Sequence, residues 1–210
     1  MKLLDLKDRL KLYVILDRIL GKGVPLREQA RLAIAGGATA IQLRDKGMKG
    51  RDFYRAALII KEVCSEGGAL FIVNDRLDVA LAADADGVHL GQEDLPLQAA
   101  KKITPPGFII GISVRTPDQA AAAERGGADY LGVGDVFGTS SKPDAKTIGI
   151  EGLEKVCKNT SLPCLAIGGI GAHNVKRALQ AGAMGVAVIS AVVSQKDICS
   201  AARMLRSLIP

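Results

Sequence analysis

Eight short apolar segments, spread along the 210-residue chain, restrict its fold more than any other feature of the sequence. Each is five or six residues long and rich in β-branched side chains, which is typical of buried strands. The stretches between them are mostly long enough for a helix. The segments are YVILD (13–17), AIQLR (40–44), LFIVN (70–74), DGVHL (86–90), FIIGIS (108–113), DYLGVG (129–134), CLAIGG (164–169) and GVAVIS (185–190).

Several of the intervening stretches carry clear helix signals. In TPDQAAAAERGGA, Pro117 stands in the first turn, where a missing backbone N–H is harmless, and Gly126 and Gly127 end the alanine-rich pattern. Strands and helices that alternate in this way predict a parallel sheet.

A faint internal repeat favours one arrangement of that sheet. The phrases GGATAIQLRD, AADADGVHLG, GGADYLGVGD and AGAMGVAVIS each place a small-residue helix end before every second strand. Eight strands with this repeat predict an α/β fold of the (β/α)8 TIM-barrel type, with an open doubly wound sheet as the alternative. Given the chain length and 48% hydrophobic residues, we expect one TIM-barrel catalytic domain over residues 1–210 rather than two small domains.

Composition and charge exclude several classes of function. The net charge is +6, but lysine and arginine are scattered without aromatic residues between them, which favours an anionic small-molecule partner over nucleic acid. No apolar run approaches the length of a membrane span, and the start MKLLDLKDRLKLY lacks the apolar segment of a signal peptide. We expect a cytoplasmic protein whose cysteines, which form no C-x-x-C pair, are reduced: Cys64, Cys157, Cys164 and Cys199.

Polar residues at the strand ends are the first candidates for a site, because TIM-barrel enzymes place their chemistry at the carboxyl ends of the strands. After the second strand, Gln42, Arg44 and Lys46 share one face, while Ile41 and Leu43 take the other. A guanidinium fork and an ammonium together suit a phosphate or diphosphate. The alternative is an ordinary solvated strand end.

Acidic residues follow the next two strands. Asp75 comes after the third and Asp94 after the fourth, so they would lie on neighbouring strand ends. Mg²⁺ takes one or two protein carboxylates together with substrate phosphate oxygens, which makes this pair a candidate metal site. The alternative is that both are helix caps. His89, between apolar neighbours, is expected to be a hydrogen-bonded residue of the barrel interior.

Three later loops could bind phosphate. The loop GVGDVFGTSSKPDAKTIG carries hydroxyls and a lysine that can donate to anionic oxygens, and its glycine spacing does not fit a dinucleotide site. We interpret it as a lid, with an ordinary flexible loop as the alternative. The turn at Gly168 and Gly169 and the strand end at Ile189 and Ser190 stand where this fold commonly binds phosphate through backbone N–H groups.

Taken in order, the motifs QLRDK, NDR, GVHLGQEDLP, TSSKPD, IGGI and VISA resemble those of the thiamine-phosphate synthase family, over essentially the whole chain. The resemblance implies a Mg²⁺-dependent transferase of thiamine biosynthesis. In its reaction, a thiazole phosphate displaces the diphosphate of a hydroxymethyl aminopyrimidine, giving thiamine phosphate and pyrophosphate. A carboxylated thiazole would also lose carbon dioxide.

The resemblance also implies residue roles. Asp75 and Asp94 would bind Mg²⁺, and Arg44, Lys46 and Lys142 would act catalytically. The residues implied for the pyrimidine diphosphate are Gln42, Arg44, Lys46, Asn74, Ser113 and Lys142. Those for the thiazole phosphate are Thr139, Ser141, Gly169, Ile189 and Ser190, to which the neighbouring hydroxyl of Ser140 is added.

The lid loop departs from the family pattern at two positions. Gly138 stands for a proline and Ser141 for a threonine, which preserves a hydroxyl but makes the loop less rigid. Two other functions stay open from sequence: a thiazole tautomerase-type isomerase on the same fold, and a non-catalytic sensor of a phosphate ligand. The isomerase fits less well because it has no diphosphate to bind. A homo-oligomer is compatible with the sequence.

Overall fold

Eight parallel strands close into a barrel in the computed structural model, which describes residues 3–138 and 147–210 and the side chains from residue 6 onward in the first range. Each strand pairs with the next along the chain, and the eighth pairs with the first. This confirms the predicted (β/α)8 barrel and rules out the open sheet. The strands are β1 (Leu12–Leu16), β2 (Ala40–Leu43), β3 (Leu70–Asn74), β4 (Gly87–Leu90), β5 (Ile109–Val114), β6 (Tyr130–Val133), β7 (Cys164–Ile167) and β8 (Gly185–Val188).

Helices connect the strands on the outside of the barrel. The predicted helix after β5 is confirmed: it runs from Pro117 to Arg125, and the side chain of Thr116 accepts a hydrogen bond from the Gln119 N–H. The helices are α1 (Leu3–Asp8), α2 (Leu26–Ala35), α3 (Gly50–Gly67), α4 (Leu77–Ala82), α5 (Leu97–Ile103), α6 (Pro117–Arg125), α7 (Gly149–Lys158), α8 (Val175–Gln180), α9 (Ser190–Val193) and α10 (Ile198–Ser207).

Two apolar clusters pack on opposite faces of the strands. On β2, Ile41 and Leu43 belong to the outer cluster beneath the helices, and Ala40 belongs to the inner cluster that fills the barrel. This alternation follows from the period of two in a strand. Leu6 of α1 and Leu10 also belong to the inner cluster, at the amino-terminal end of the barrel. The opposite end is therefore the one available for a ligand.

Two further expectations concern cysteines and membranes. All four cysteines are free thiols, as the sequence predicted. Within residues 3–138 and 147–210, none of the helices combines the length and apolar character that crossing a membrane requires.

Candidate active site

A cavity of about 1030 Å³ opens at the carboxyl ends of the strands. That volume is slightly above the usual range for ligand pockets, about 300 to 1,000 Å³. Thr139, Ser140, Ser141 and Lys142 lie outside the described residues. The remaining predicted site residues all line the cavity: Gln42, Arg44, Lys46, Asn74, Asp75, Asp94, Ser113, Gly169, Ile189 and Ser190.

The end of β2 carries its polar side chains into this cavity, as the alternation predicted. Gln42 is buried, and its Nε2 donates to the Tyr13 hydroxyl at 2.9 Å. Lys46 is more exposed, and its Nζ lies 3.8 Å from Asp75 Oδ2. Asp45 lies between Arg44 and Lys46 in sequence but accepts a hydrogen bond from Arg18 Nε at 2.9 Å. Its carboxylate therefore pairs with Arg18 and not with Arg44 or Lys46.

Neighbouring strand ends bring Asp75 and Asp94 together. In the register of β3 and β4, Asn74 is paired with His89, and the Asp75 N–H donates to the His89 carbonyl at 2.9 Å. Asp75 has a φ of 61°, a left-handed conformation that Asp tolerates better than most residues. Asp94 Oδ2 accepts from the Gly91 N–H at 2.6 Å.

Neither aspartate caps a helix, so the helix-cap alternative was wrong. The capping position of α4 is Arg76, that of α5 is Pro96, and neither has a side-chain capping hydrogen bond. Both helices begin later than the acid because Asp75 and Asp94 lie in the turns that leave the strands. Their carboxylates are thus available to the cavity.

The electrostatics of this pair fit a cation. Burial, a hydrogen bond with Asp94 and the charge of Asp94 raise the pKa of Asp75 to about 6, and the charges of Lys46 and Arg44 oppose the rise. Two carboxylates this close repel each other when both are ionised, and a bound cation removes that repulsion. The described part of the chain contains no cluster of three or more His, Cys, Asp or Glu side chains suited to a metal. Two carboxylates match Mg²⁺, which takes its other ligands from phosphate and water.

On the other side of the cavity, the turn after β7 is shaped by glycines. Gly168 and Gly169 have φ values of 98° and 64°, and a Cβ on Gly168 would lie 1.8 Å from Asp135 Oδ1. Asn174 is buried and holds the turn: its Oδ1 accepts from the Gly171 N–H at 2.8 Å, and its Nδ2 donates to the Gly169 carbonyl at 2.9 Å. Only glycine fits this close approach of two loops.

The end of β8 lies beside this turn on the cavity wall. Ile189 precedes α9, which begins at Ser190. The first N–H groups of a helix have no acceptor within the helix and point toward its amino-terminal end. The start of α9 thus lies at the part of the cavity where the sequence predicted a phosphate.

Sequence reasoning missed three residues of the site. Tyr13 and Tyr130 line the floor of the cavity, and their hydroxyls are 3.1 Å apart. Both have inward positions in their strands, so the alternation that located Gln42 could have identified them. The buried Asp135 also lines the cavity, and its Oδ1 accepts from the Gly138 N–H at 3.1 Å. An acid within an apolar stretch was the available signal.

His89 lies inside the barrel with hydrogen-bond partners on both ring nitrogens, as predicted. Its Nδ1 is 3.0 Å from the Tyr130 hydroxyl and its Nε2 is 2.9 Å from Ser113 Oγ. It also lines the cavity, so it is both an interior residue and part of the site wall.

Comparisons with known proteins agree with one another. A sequence model of the family described as thiamine monophosphate synthase matches residues 12–192. A thiamine-phosphate synthase of Coprothermobacter proteolyticus is 74% identical over 206 residues, covering 98% of each chain, and that of Methanoculleus marisnigri is 53% identical over 199 residues, covering 94% of each. The solved structure of thiamine phosphate pyrophosphorylase from Pyrococcus furiosus superposes with a TM-score of 0.90 at 48% identity, covering 97% of this chain and 96% of the other.

Proposed function

Since the chain belongs to the thiamine monophosphate synthase family and is a transferase of thiamine biosynthesis, we propose that it joins an aminopyrimidine methyl diphosphate to a thiazole phosphate. The products are thiamine phosphate and pyrophosphate, with carbon dioxide when the thiazole is carboxylated. The observation that carries this proposal is that one cavity has two chemically different sides. The charged side is formed by Arg44, Lys46, Asp75 and Asp94, and the glycine side by the turns at Gly168, Gly169, Ile189 and Ser190.

The diphosphate binds at the ends of β2 and β3. Arg44 offers two parallel N–H donors and Lys46 a single charge, and both line the cavity near Asp75. Asn74 and Ser113 add neutral donors from β3 and β5. Lys142, outside the described residues, is the third cation in this proposal. Gln42 binds the pyrimidine end of the same substrate.

Asp75 and Asp94 hold the Mg²⁺. Burial and the neighbouring Asp94 raise the pKa of Asp75, and a divalent cation would relieve the repulsion between the two ionised carboxylates. A Mg²⁺ held there would supply positive charge to offset the charge that grows on the leaving pyrophosphate. Two carboxylates fit the usual protein contribution to a Mg²⁺ site, whose other ligands would be phosphate oxygens and water.

The reaction is a dissociative substitution. Breaking the C–O bond leaves a cation on the electron-rich pyrimidine methyl group, so the barrier is dominated by charge separation. Arg44, Lys46 and Lys142 stabilise the pyrophosphate as its charge grows, and removing one such positioned donor typically lowers the rate by about 10² to 10³. The thiazole nitrogen is the nucleophile and needs no general base. The remaining task of the protein is to hold two rings in contact.

The thiazole phosphate binds on the glycine side. In this proposal Gly169, Ile189 and Ser190, which line the cavity after β7 and β8, bind the phosphate through their backbone N–H groups. The hydroxyls of the lid loop complete the set in this proposal, although they lie outside the described residues: Thr139, Ser140 and Ser141. In the same proposal, residues 1–210 form one catalytic domain that acts on small molecules. The protein works in the cytoplasm and binds neither nucleic acid nor membrane. Size-exclusion chromatography tests whether it forms a homo-oligomer.

A pyrophosphate-release assay tests the proposed function. Purified protein should release pyrophosphate only when both substrates and Mg²⁺ are present, and thiamine phosphate should appear in equal amount. Thermal stabilisation by the pyrimidine diphosphate without any product would contradict the transferase and support a sensor. Isomerisation of the thiazole carboxylate without pyrophosphate release would support the tautomerase.

A further inference from the structure

A chain of five hydrogen-bonded side chains crosses the barrel directly beneath the cavity. Gln42 Nε2 donates to the Tyr13 hydroxyl at 2.9 Å, and the hydroxyls of Tyr13 and Tyr130 are 3.1 Å apart. The Tyr130 hydroxyl is 3.0 Å from His89 Nδ1, and His89 Nε2 is 2.9 Å from Ser113 Oγ. These side chains come from five different strands, namely β2, β1, β6, β4 and β5.

Two glycines leave space for the aromatic rings of this series of hydrogen bonds. Gly111 of β5 leaves the space that the Tyr130 ring occupies, because a Cβ there would lie 2.1 Å from Tyr130 Cζ. Gly132 of β6 does the same for His89, where the corresponding distance to Cε1 is 2.9 Å. Tyr130 is 1% exposed, so water does not compete for its hydroxyl. The barrel is thus built to hold both rings at these positions.

The amide donor at one end of this hydrogen-bonded chain favours one direction for the bonds that follow, because each buried hydroxyl hydrogen needs an acceptor. An amide nitrogen donates only, so the Tyr13 oxygen accepts from Gln42. Tyr13 is 1% exposed and its other hydrogen-bond partner among the described residues is Tyr130, so its hydrogen is satisfied when it donates to Tyr130. Tyr130 then has its own hydrogen left for His89 Nδ1. A neutral imidazole that accepts at Nδ1 carries its hydrogen on Nε2 and donates it to Ser113 Oγ.

We propose that this series of hydrogen bonds holds His89 in its Nε2–H tautomer. The hydroxyl hydrogen of Ser113 then points toward the cavity, where it donates to an anionic oxygen. Tyr13, Tyr130 and His89 are then positioning residues for Ser113. With the opposite direction, Ser113 would give its hydrogen to His89 and present only lone pairs to an anion. That the anion is the substrate diphosphate rests on the proposed function, whereas the tautomer does not.

Nitrogen NMR of the histidine rings tests the tautomer. The chain has two histidines, so protein labelled with ¹⁵N-histidine gives two ring systems, and His173→Gln assigns the remaining one to His89. We expect an unprotonated Nδ1 and a protonated Nε2 for His89 in the wild type at neutral pH. A hydrogen on Nδ1, on both nitrogens or distributed between them overturns the inference.

Tyr130→Phe tests whether the tyrosines act through Ser113. The variant removes the donor to Nδ1, so the single-tautomer signature should be lost and kcat should fall about tenfold, while the KM for the thiazole phosphate stays unchanged. Tyr54→Phe is the matched control, because Tyr54 is exposed on α3 and should keep full activity. Melting curves establish that each variant folds. If Tyr130→Phe does not, Tyr13→Phe replaces it: without Tyr13 the Tyr130 hydroxyl can either donate to Nδ1 or accept from it, so the single-tautomer signature should again be lost.

A double-mutant cycle separates positioning from a general loss of packing. In a Ser113→Ala background, Tyr130→Phe should change kcat by less than about twofold, because the group it positions is gone. The inference is overturned if the double variant loses kcat by the product of the two single losses. It is also overturned if Tyr130→Phe alone leaves the His89 tautomer and kcat unchanged.

The proposed function and this inference fail separately. A wild-type protein that releases no pyrophosphate disproves the proposed reaction but leaves the tautomer measurement valid. In that case, calorimetry with inorganic pyrophosphate and Mg²⁺ replaces turnover. Ser113→Ala and Tyr130→Phe should then weaken pyrophosphate binding by similar factors, and unchanged binding in both would overturn the inference.

Discussion

The two sides of the cavity are built by different means. The charged side uses side chains with strong charges: Arg44, Lys46, Asp75 and Asp94. The glycine side uses backbone conformation and close packing: Gly168, Gly169, Ile189 and Ser190. On the charged side, ligand binding depends on the charged groups of the side chains. On the glycine side, it depends on the lack of a side chain at Gly168 and Gly169, because a Cβ at either position would meet another loop.

The contrast extends to how tightly each side is held. Lys46 is 67% exposed in its side chain and lies 3.8 Å from its carboxylate partner, so it can follow a ligand. The turn at Gly169 is tied by Asn174, whose two amide atoms both bind loop backbone. We therefore expect substitutions on the charged side to reduce turnover with the fold intact, and substitutions on the glycine side to affect binding and stability together.

The largest effect is expected from removing both carboxylates of the charged side. Asp75→Ala combined with Asp94→Ala should abolish Mg²⁺-dependent turnover, a loss of more than about 10³, because the proposed metal loses its protein ligands. Pyrophosphate release measures the activity and circular dichroism the fold. Asp118→Ala, at an exposed acid of α6, is the control. Normal turnover in the double variant would refute the role of the charged side.

Removing one cation should have the next largest effect. Arg44→Ala should lower kcat by about 10² to 10³ and leave the KM for the thiazole phosphate unchanged. Arg44→Lys should recover only part of this, because an ammonium does not form the bidentate contact. Steady-state kinetics with each substrate varied in turn give the result. A KM for the thiazole phosphate that rises together with the loss of kcat would show that the two sides are not separate. Arg51→Ala, at an exposed position of α3, serves as control.

On the glycine side, Gly169→Ala should weaken thiazole phosphate binding about tenfold. The new Cβ would lie 2.3 Å from the Gly138 carbonyl, and φ is +64°, so the turn must shift. Calorimetry with the thiazole phosphate measures the change. Gly107→Ala is the matched control because its φ is +85° but no atom lies within 4 Å of the added Cβ, so it should lower stability by about 1 kcal/mol and leave binding intact. Equal binding in both variants would argue against a phosphate at this turn.

The smallest effect concerns the pH dependence of stability without metal. The folded-state pKa of Asp75, about 6, is above its ordinary value of 3.8, so between these pH values the folded protein binds more protons than the unfolded chain. Stability should therefore fall as pH rises through this window, by a few degrees in Tm. Mg²⁺ binds the ionised carboxylates and should raise Tm more at pH 7 than at pH 5.

Melting curves from pH 4.5 to 7 in a chelator measure this effect. Asp75→Asn should flatten the slope, whereas Asp118→Asn should not. A wild-type Tm that is constant across the window, or a slope that survives in Asp75→Asn, would show that the pKa of Asp75 is not raised in the folded protein.

Much of the fold and part of the site could be predicted because their signals are local. Strand alternation placed Gln42 and Ile41 on opposite faces, and Pro117 and Gly126 marked the two ends of α6. The charged side was predictable for the same reason, since strong charges at strand ends can be identified by residue type. The helix-cap alternative for Asp75 failed because sequence alone does not show how many turn residues separate a strand from the following helix.

The amino-acid sequence by itself determined the number of strands, their inward and outward faces and the residue types at their carboxyl ends. These follow from hydrophobic period and turn chemistry, which act over a few residues. Only the tertiary structure decided which of those residues meet. Tyr13 and Tyr130 are 117 positions apart in sequence and 3.1 Å apart between hydroxyls, and Gly111 matters because the Tyr130 ring fills its space. Such contacts depend on barrel closure, which no local pattern encodes.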